Sequence, residues 1–129
     1  METTRDGGLL AWQLREYSNG HRDRGTLLLH ACTVPVFWAG TGALLLAPLA
    51  GAWLLAAALP ALLLPLALQG RGHRREATAP IPFRGPGDAV ARLLVEQWIT
   101  FPRFLLGGGF ARAWRASGGL GGPAAPTRA

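Results

Sequence analysis

The stretch that decides the fold runs from Gly25 to Gly70 and reads GTLLLHACTVPVFWAGTGALLLAPLAGAWLLAAALPALLLPLALQG. It contains no Asp, Glu, Lys or Arg, and Leu and Ala dominate it. A single helix of that length would reach roughly 70 Å, whereas the hydrocarbon core of a bilayer is about 30 Å thick. The stretch therefore predicts two passes through a membrane.

The turn between the two passes is predicted at Ala47–Gly51, where Pro and Gly follow each other closely. This gives a first span of about Leu27–Ala47 and a second of about Ala52–Gln69. A buried hairpin in a soluble protein is the rival interpretation, but 129 residues are too few to cover so much apolar surface. We expect an all-α fold: an integral membrane helical hairpin with flanking amphipathic helices.

The rest of the chain divides around this hairpin by composition. A short helical pattern precedes it, three prolines interrupt the loop after it, and an apolar stripe with spacings of 3 and 4 follows. The predicted parts are an N-terminal amphipathic segment with the first His (1–26), a two-span transmembrane hairpin (27–69), a cytoplasmic His/Glu loop (70–87), an amphipathic or membrane-packed helix (88–116) and a disordered tail (117–129).

The charge pattern predicts the orientation of the hairpin. All 13 basic residues are Arg, and they flank both outer ends of the hairpin, while the turn carries no charge. By the positive-inside rule both termini are expected in the cytoplasm. Arg-only usage with abundant Ala and Gly is typical of a GC-rich bacterial genome, so we expect the bacterial inner membrane. The arginines are spread along the chain without interleaved aromatics, which disfavours nucleic acid as a partner.

The histidines gather at the open end of the predicted hairpin. His21, His30 and His73 are the only three in the chain. An antiparallel hairpin would bring His30 and His73 to similar depth on one side of the membrane. His21 lies nine residues before His30, so on one continuous helix the two would point to opposite faces. A fold-back at Gly20 and Gly25 would bring His21 over the mouth of the hairpin.

A carboxylate accompanies this histidine group. Glu76 follows His73 by three residues, so the two would share a face on a helical turn. Three imidazoles and one carboxylate are close to the ligand set of a non-haem Fe(II) site. Glu96 is expected instead to pair with Arg92 or Arg103. From spacing alone, three scattered interfacial histidines remain the alternative.

Three stretches of the chain combine these residues with a fixed spacing and a membrane position. They are Tyr17-x3-His21-x8-His30-x4-Pro35, Gln69-x2-Gly72-His73-x2-Glu76-x3-Pro80, and Glu96–Phe104 followed by Gly107–Phe110. Together they resemble the fungal 2-hydroxy-fatty-acid dioxygenase-like family of small membrane proteins, in its bacterial branch. The resemblance covers about residues 10–115.

The resemblance implies an Fe(II)-dependent dioxygenase that shortens 2-hydroxy fatty acids, or a related lipid, by one carbon in α-oxidation. It implies membrane lipid and a fatty-acid substrate as partners and no particular oligomeric state. Carried over by motif, the metal ligands are His21, His30 and His73. Because Glu76 lies one helical turn after His73, it is the predicted catalytic residue, as fourth ligand or partner of His73. In the reaction that the resemblance implies, Arg74 or Arg75 would steer the substrate carboxylate.

A non-catalytic small membrane protein, such as a scaffold or a holin-like subunit, is the competing function. Where the family often has Asn between its first two histidines, this chain has Asp23 and Thr26. A basic tail and a two-span hairpin suit a scaffold as well as an enzyme. The histidine motifs separate the two, because a scaffold has no need of His73 and Glu76 beside His30.

Overall fold

The computed structural model describes residues 5–117, and every regular element within that range is helical. The all-α prediction is therefore confirmed. The predicted tail lies outside the described residues except for Ser117. The elements are α1 (Gly8–Glu16), a 3₁₀ turn (Tyr17–Gly20), α2 (Arg24–Ala50), α3 (Trp53–His73), α4 (Pro86–Val95), a π-helical segment (Glu96–Thr100), α5 (Phe101–Leu106) and α6 (Gly109–Ala116).

The two long helices α2 and α3 pack against each other in antiparallel directions. Near the start of α2, the Thr26 hydroxyl donates to the carbonyl of Gly72, at the end of α3, over 3.0 Å. Halfway along the pair, Gly40 faces Ala61 closely. The beginning of α2 and the end of α3 therefore lie together, and we call this end of the pair the mouth.

The turn at the other end depends on one glycine. Gly51 has φ +117°, a region that favours glycine, and its N–H donates to the carbonyl of Ala47 over 3.0 Å. Helix α2 continues through Pro48 to Ala50, so the break falls at the last residue of the predicted Ala47–Gly51 turn. Both helices also extend further toward the mouth than the predicted spans.

Helices α2 and α3 are long and apolar enough to cross a membrane. Their lengths of 27 and 21 residues correspond to about 40 and 32 Å of helix, against a bilayer core of about 30 Å. Large apolar side chains point outward near the turn, and Leu49 is 87% exposed. Contiguous apolar surface of this kind marks contact with a partner or a lipid phase.

The C-terminal half differs in detail from the single helix predicted for 88–116. It starts at Pro86, a favoured residue for the first helical turn, and then passes through the π-helical segment. Pro102 lies in the first turn of α5, and Gly108, at φ +79°, separates α5 from α6. Within the predicted apolar stripe Phe101 is buried, whereas its other members are exposed: Val90, Leu94, Trp98 and Leu105.

Helix α1 lies alongside α4, and its predicted apolar face is confirmed in part. The sequence pattern predicts Leu10, Leu14 and Tyr17 on that face; Tyr17 is buried, whereas Leu10 is exposed. The residues of α1 that are buried are Trp12 and Gln13. A buried glutamine on this face is a polar feature that the hydrophobic pattern does not indicate.

The close approach of α2 to α3 at Gly40 predicts a specific sensitivity to an added methyl group. A Cβ at Gly40 would lie 2.9 Å from Ala61 Cβ and 3.0 Å from its carbonyl carbon, whereas a Cβ at Gly42 would meet nothing within 4 Å. We expect Gly40→Ala to destabilise the protein by about 1–3 kcal/mol through overpacking. The matched control Gly42→Ala should be neutral or slightly stabilising. Thermal unfolding in detergent compares the two, and equal melting temperatures would contradict the packing described.

Candidate metal centre

The three histidines meet at the mouth together with Glu96. One potential ligand atom from each of these four residues lies within 4.8 Å of the other three. His21 lies in the short connection before α2, His30 lies in α2, and His73 is the last residue of α3. Glu96 is the first residue of the π-helical segment, an element frequently found at functional sites. The group could hold a metal ion.

The distances within the group suit a shared ion. The Nε2 atoms of His21 and His30 are 3.3 Å apart. Glu96 Oε1 lies 3.1 Å from His30 Nε2, 3.5 Å from His21 Nε2 and 3.9 Å from His73 Nε2. Ligand atoms held about 2.1 Å from one metal lie roughly 3.0–3.5 Å apart. Three of these four distances fall in or at the edge of that range, and all ligand atoms of the group lie within 4.8 Å of one another.

Backbone hydrogen bonds fix the orientation of the His21 and His30 imidazoles. His21 Nδ1 lies 2.8 Å from the carbonyl of Tyr17, and His30 Nδ1 lies 3.0 Å from the carbonyl of Thr26. A carbonyl oxygen only accepts, so each Nδ1 carries a proton, and each ring in its neutral form turns a bare Nε2 toward the other. Two facing lone pairs beside a carboxylate repel unless a cation lies between them. A metal ion between these atoms would remove the repulsion, so the arrangement of the side chains fits a metal site.

The electrostatics keep His21 and Glu96 in the forms that bind metals. Burial lowers the pKa of His21 to about 4, against the raising effect of Glu96, so this imidazole is neutral at physiological pH. Burial alone would raise the pKa of Glu96, but hydrogen bonds from the three imidazoles, where their Nε2 atoms carry a proton, hold it well below its usual range. Neutral imidazoles and an ionised carboxylate are the states required of ligands.

Tyr17 contacts two members of the His/Glu group. Its hydroxyl donates to Glu96 Oε1 over 3.2 Å, and its ring stacks on His21 with centroids 3.8 Å apart. Burial first, and then the charge of Glu96, raise the pKa of Tyr17 well above its ordinary value, so the phenol stays protonated. It therefore orients both a carboxylate and an imidazole of the group.

A buried amide pair fixes the π-helical segment against the long helices. Gln97 Nε2 donates to Gln69 Oε1 over 2.6 Å, and Gln69 Nε2 donates back to Gln97 Oε1 over 3.2 Å. Gln69 Nε2 also donates to the Thr33 hydroxyl, and the indole of Trp38 donates to the Gln97 carbonyl. Because Glu96 precedes Gln97, this network sets the position of the carboxylate.

The spacing to His73 predicts Glu76 as the carboxylate of the site, whereas the structure brings Glu96 to the three imidazoles. The Glu76 carboxylate accepts hydrogen bonds from the backbone N–H groups of Arg22 and Asp23, over 3.0–3.1 Å. It therefore holds the connection that carries His21, rather than ligating or orienting His73. The expected pairing of Glu96 with an arginine gives way to its contacts with the imidazoles.

The predicted carboxylate-steering arginines lie away from the cavity that adjoins the metal centre. Arg74 and Arg75 are exposed at the surface. The cavity has a volume of about 400 Å³, and its lining includes His21, His73 and Glu96. The arginine that lines it, among the described residues, is Arg92.

The donor set of three imidazole nitrogens and one carboxylate oxygen defines the class of the site. It suits first-row divalent transition metals, including iron and zinc, and is unlike the all-oxygen sites of calcium and magnesium. Comparison of the chain with family models, curated proteins and solved structures found no match. The class of the site is therefore inferred from its donor atoms and their distances.

Near-isosteric substitutions of the ligands should remove the metal. We expect Glu96→Gln and His73→Gln to lower bound iron or zinc strongly, because each removes one of four donors. The control is Asp6→Asn, which neutralises an exposed carboxylate outside the group. Metal analysis of anaerobically purified protein after equilibration with each metal measures the effect. Full occupancy in Glu96→Gln would remove Glu96 from the site.

Glu76→Gln tests the positioning of His21. The amide retains an acceptor oxygen but loses the charge that holds the two N–H groups. Losses of supporting partners around metal ligands typically weaken metal affinity by about 10–100-fold, so the variant should bind more weakly than wild type and more tightly than Glu96→Gln. Metal titrations of the three proteins give the order. Wild-type affinity in Glu76→Gln would reduce Glu76 to a structural residue.

Proposed function

We propose that this chain is a membrane-embedded, non-haem Fe(II) dioxygenase that acts on 2-hydroxy fatty acids or a related lipid. One observation carries the proposal: the His/Glu group borders a largely apolar cavity of about 400 Å³ beside helices of membrane length. A scaffold needs neither a cavity nor converging imidazoles. The resemblance of the histidine motifs to the dioxygenase-like family supplies the reaction type.

The proposed placement puts α2 and α3 across the bacterial inner membrane, with the mouth on the cytoplasmic side. Arg71, Arg74 and Arg75 are exposed at the mouth, and basic residues favour the cytoplasmic face. The exposed apolar side chains of α4 and α5 would lie at the interface between lipid and water. Both termini would then be cytoplasmic.

An amphiphile suits both parts of this site. Leu66, Ile81 and Leu93 contribute apolar lining to the cavity, while His21 and Glu96 provide its polar end. A fatty acyl chain would be held by the apolar lining with its head toward the imidazoles. Each buried methylene would contribute about 0.8 kcal/mol, so long chains should bind better than short ones.

The protein's own groups would hold the ion, keep it accessible from the cavity and limit the access of water. His21, His30, His73 and Glu96 would be the ligands, and Tyr17 would keep Glu96 oriented. When bound there, Fe(II) supplies the capacity to activate O2 and to act as a Lewis acid. The Nδ1–carbonyl bonds of His21 and His30 would keep both Nε2 atoms facing the ion throughout.

The proposed reaction balances without an external reductant. The C1–C2 bond of a 2-hydroxy acid breaks, C1 leaves as CO2, and C2 becomes the new carboxyl carbon. One O2 accepts the four electrons, so that RCH(OH)COOH and O2 give RCOOH, CO2 and H2O.

Turnover of a long-chain substrate tests the proposal. Iron-loaded protein in detergent should convert 2-hydroxyhexadecanoate to pentadecanoate with one O2 consumed per product, as followed by an oxygen electrode and mass spectrometry. Glu96→Gln should be inactive because it loses the metal, and 2-hydroxybutanoate should react poorly because it lacks the chain. An iron-loaded wild-type protein that consumes no O2 with any 2-hydroxy acid would contradict the dioxygenase assignment.

A further inference from the structure

The cavity has a second polar end, one helical turn away from the metal centre. Helices α1 and α4 run parallel, and the Tyr17–Glu96 bond repeats four residues earlier as a bond from Gln13 Nε2 to the Arg92 carbonyl, over 3.0 Å. One turn of helix is about 5.4 Å. Gln13 and Arg92 both line the cavity, so this second pair faces the same space as the metal centre.

Aromatic rings and backbone carbonyls fix the orientation of the Arg92 guanidinium. Its central carbon lies 5.0 Å from the centroid of Trp12 and 4.6 Å from that of Phe83. Its Nη1 donates to the carbonyls of Ile81 and Pro82 over 2.9 and 3.1 Å. These carbonyls belong to the loop that lines one side of the cavity.

The charge around Arg92 is only partly compensated. The nearest carboxylate oxygen recorded for it, on Asp88, lies 3.9 Å from Nη1. Asp88 already forms a two-point ion pair with Arg5, and the charge of Glu96 is shared by the three imidazoles. Two guanidinium groups therefore share one carboxylate at this end of the cavity.

Three buried polar atoms at this end have no hydrogen-bond partner: Arg5 Nε, Arg92 Nε and Gln13 Oε1. Of these, the donor Arg92 Nε and the acceptor Gln13 Oε1 belong to residues that line the cavity. The Gln13 residue is only 8% exposed. Leaving such atoms unpaired is costly, and they are complementary to a ligand that brings one acceptor and one donor. The carboxylate and hydroxyl of a 2-hydroxy acid are such a pair on adjacent carbons.

We propose that Arg92 and Gln13 form the subsite for the head group of a long-chain 2-hydroxy carboxylate. The carboxylate accepts a charge-assisted hydrogen bond from the unpaired Nε–H of Arg92, and such bonds are roughly twice as strong as neutral ones. The hydroxyl donates to Gln13 Oε1. This assigns to Arg92 the role that the sequence suggested for Arg74 and Arg75. The identity of the ligand rests on the proposed function, but its binding does not require the reaction.

Binding measured under argon tests the subsite without turnover. The full-length protein, as purified in detergent, is titrated with three probes of equal chain length: 2-hydroxyhexadecanoate, hexadecanoate and 1,2-hexadecanediol. Wild type should bind 2-hydroxyhexadecanoate at least about tenfold more tightly than the diol. Arg92→Gln should abolish that preference while leaving the affinity for the diol unchanged. Gln13→Leu should reduce the affinity for 2-hydroxyhexadecanoate to that for hexadecanoate.

The matched control is the double variant Arg74→Gln/Arg75→Gln, which removes two exposed charges and should keep the wild-type preference. Unchanged diol binding shows that a variant is folded. If Arg92→Gln does not fold, Arg92→Lys replaces it and should lose most of the preference, because an ammonium cannot match the planar contacts. Equal affinity of wild type for acid and diol, or loss of the preference in the double variant alone, would overturn the subsite. A protein that keeps the preference but consumes no O2 would overturn only the proposed reaction.

Discussion

The structure at the mouth depends on two imidazole lone pairs that are made to face each other. The Nδ1 protons of His21 and His30 are committed to backbone carbonyls, so both Nε2 atoms point into the same small space, 3.3 Å apart. The Glu96 carboxylate completes that space. When both rings are neutral, these acceptors repel one another in a buried setting, and a cation among them would remove that repulsion. The hydrogen bonds around the site therefore hold these acceptor atoms in position.

These hydrogen bonds connect the elements that carry the ligands. Glu76, at the end of α3, holds the connection that carries His21, and the Gln69–Gln97 amide pair fixes the π-helical segment that carries Glu96. Tyr17 joins α1 to both sides of the site. The long helices thus serve as a rigid frame, and the proposed chemistry would take place at one end of it.

The sequence predicted the histidine group but not its carboxylate, for a physical reason. His30 and His73 flank an uncharged stretch that must fold back on itself, so their proximity follows from the antiparallel pair, and the glycine breaks allow His21 to join them. Glu96 comes to the site only because α4 docks in parallel on α1. That docking depends on buried polar contacts, such as the one made by Gln13, which hydrophobic periodicity does not report.

Closeness in sequence to His73 was also misleading, both for the carboxylate and for the arginine of the site. Glu76 lies one turn after His73, but backbone N–H groups of a distant connection capture its carboxylate. Arg92 lies one turn before Glu96 and lines the cavity, whereas Arg74 and Arg75, which follow the histidine motif directly, are exposed. In both cases the decisive partner is a backbone group or a loop, and the sequence does not reveal which backbone groups will be nearby.

X-ray absorption spectroscopy of the metal-loaded protein tests the central claim most directly. If His21, His30, His73 and Glu96 bind the metal, we expect one ion per chain, with multiple-scattering features from three imidazoles at about 2.0–2.2 Å and an oxygen ligand at a similar distance. A spectrum with a sulfur ligand, with fewer than two imidazoles, or with no retained metal would contradict it.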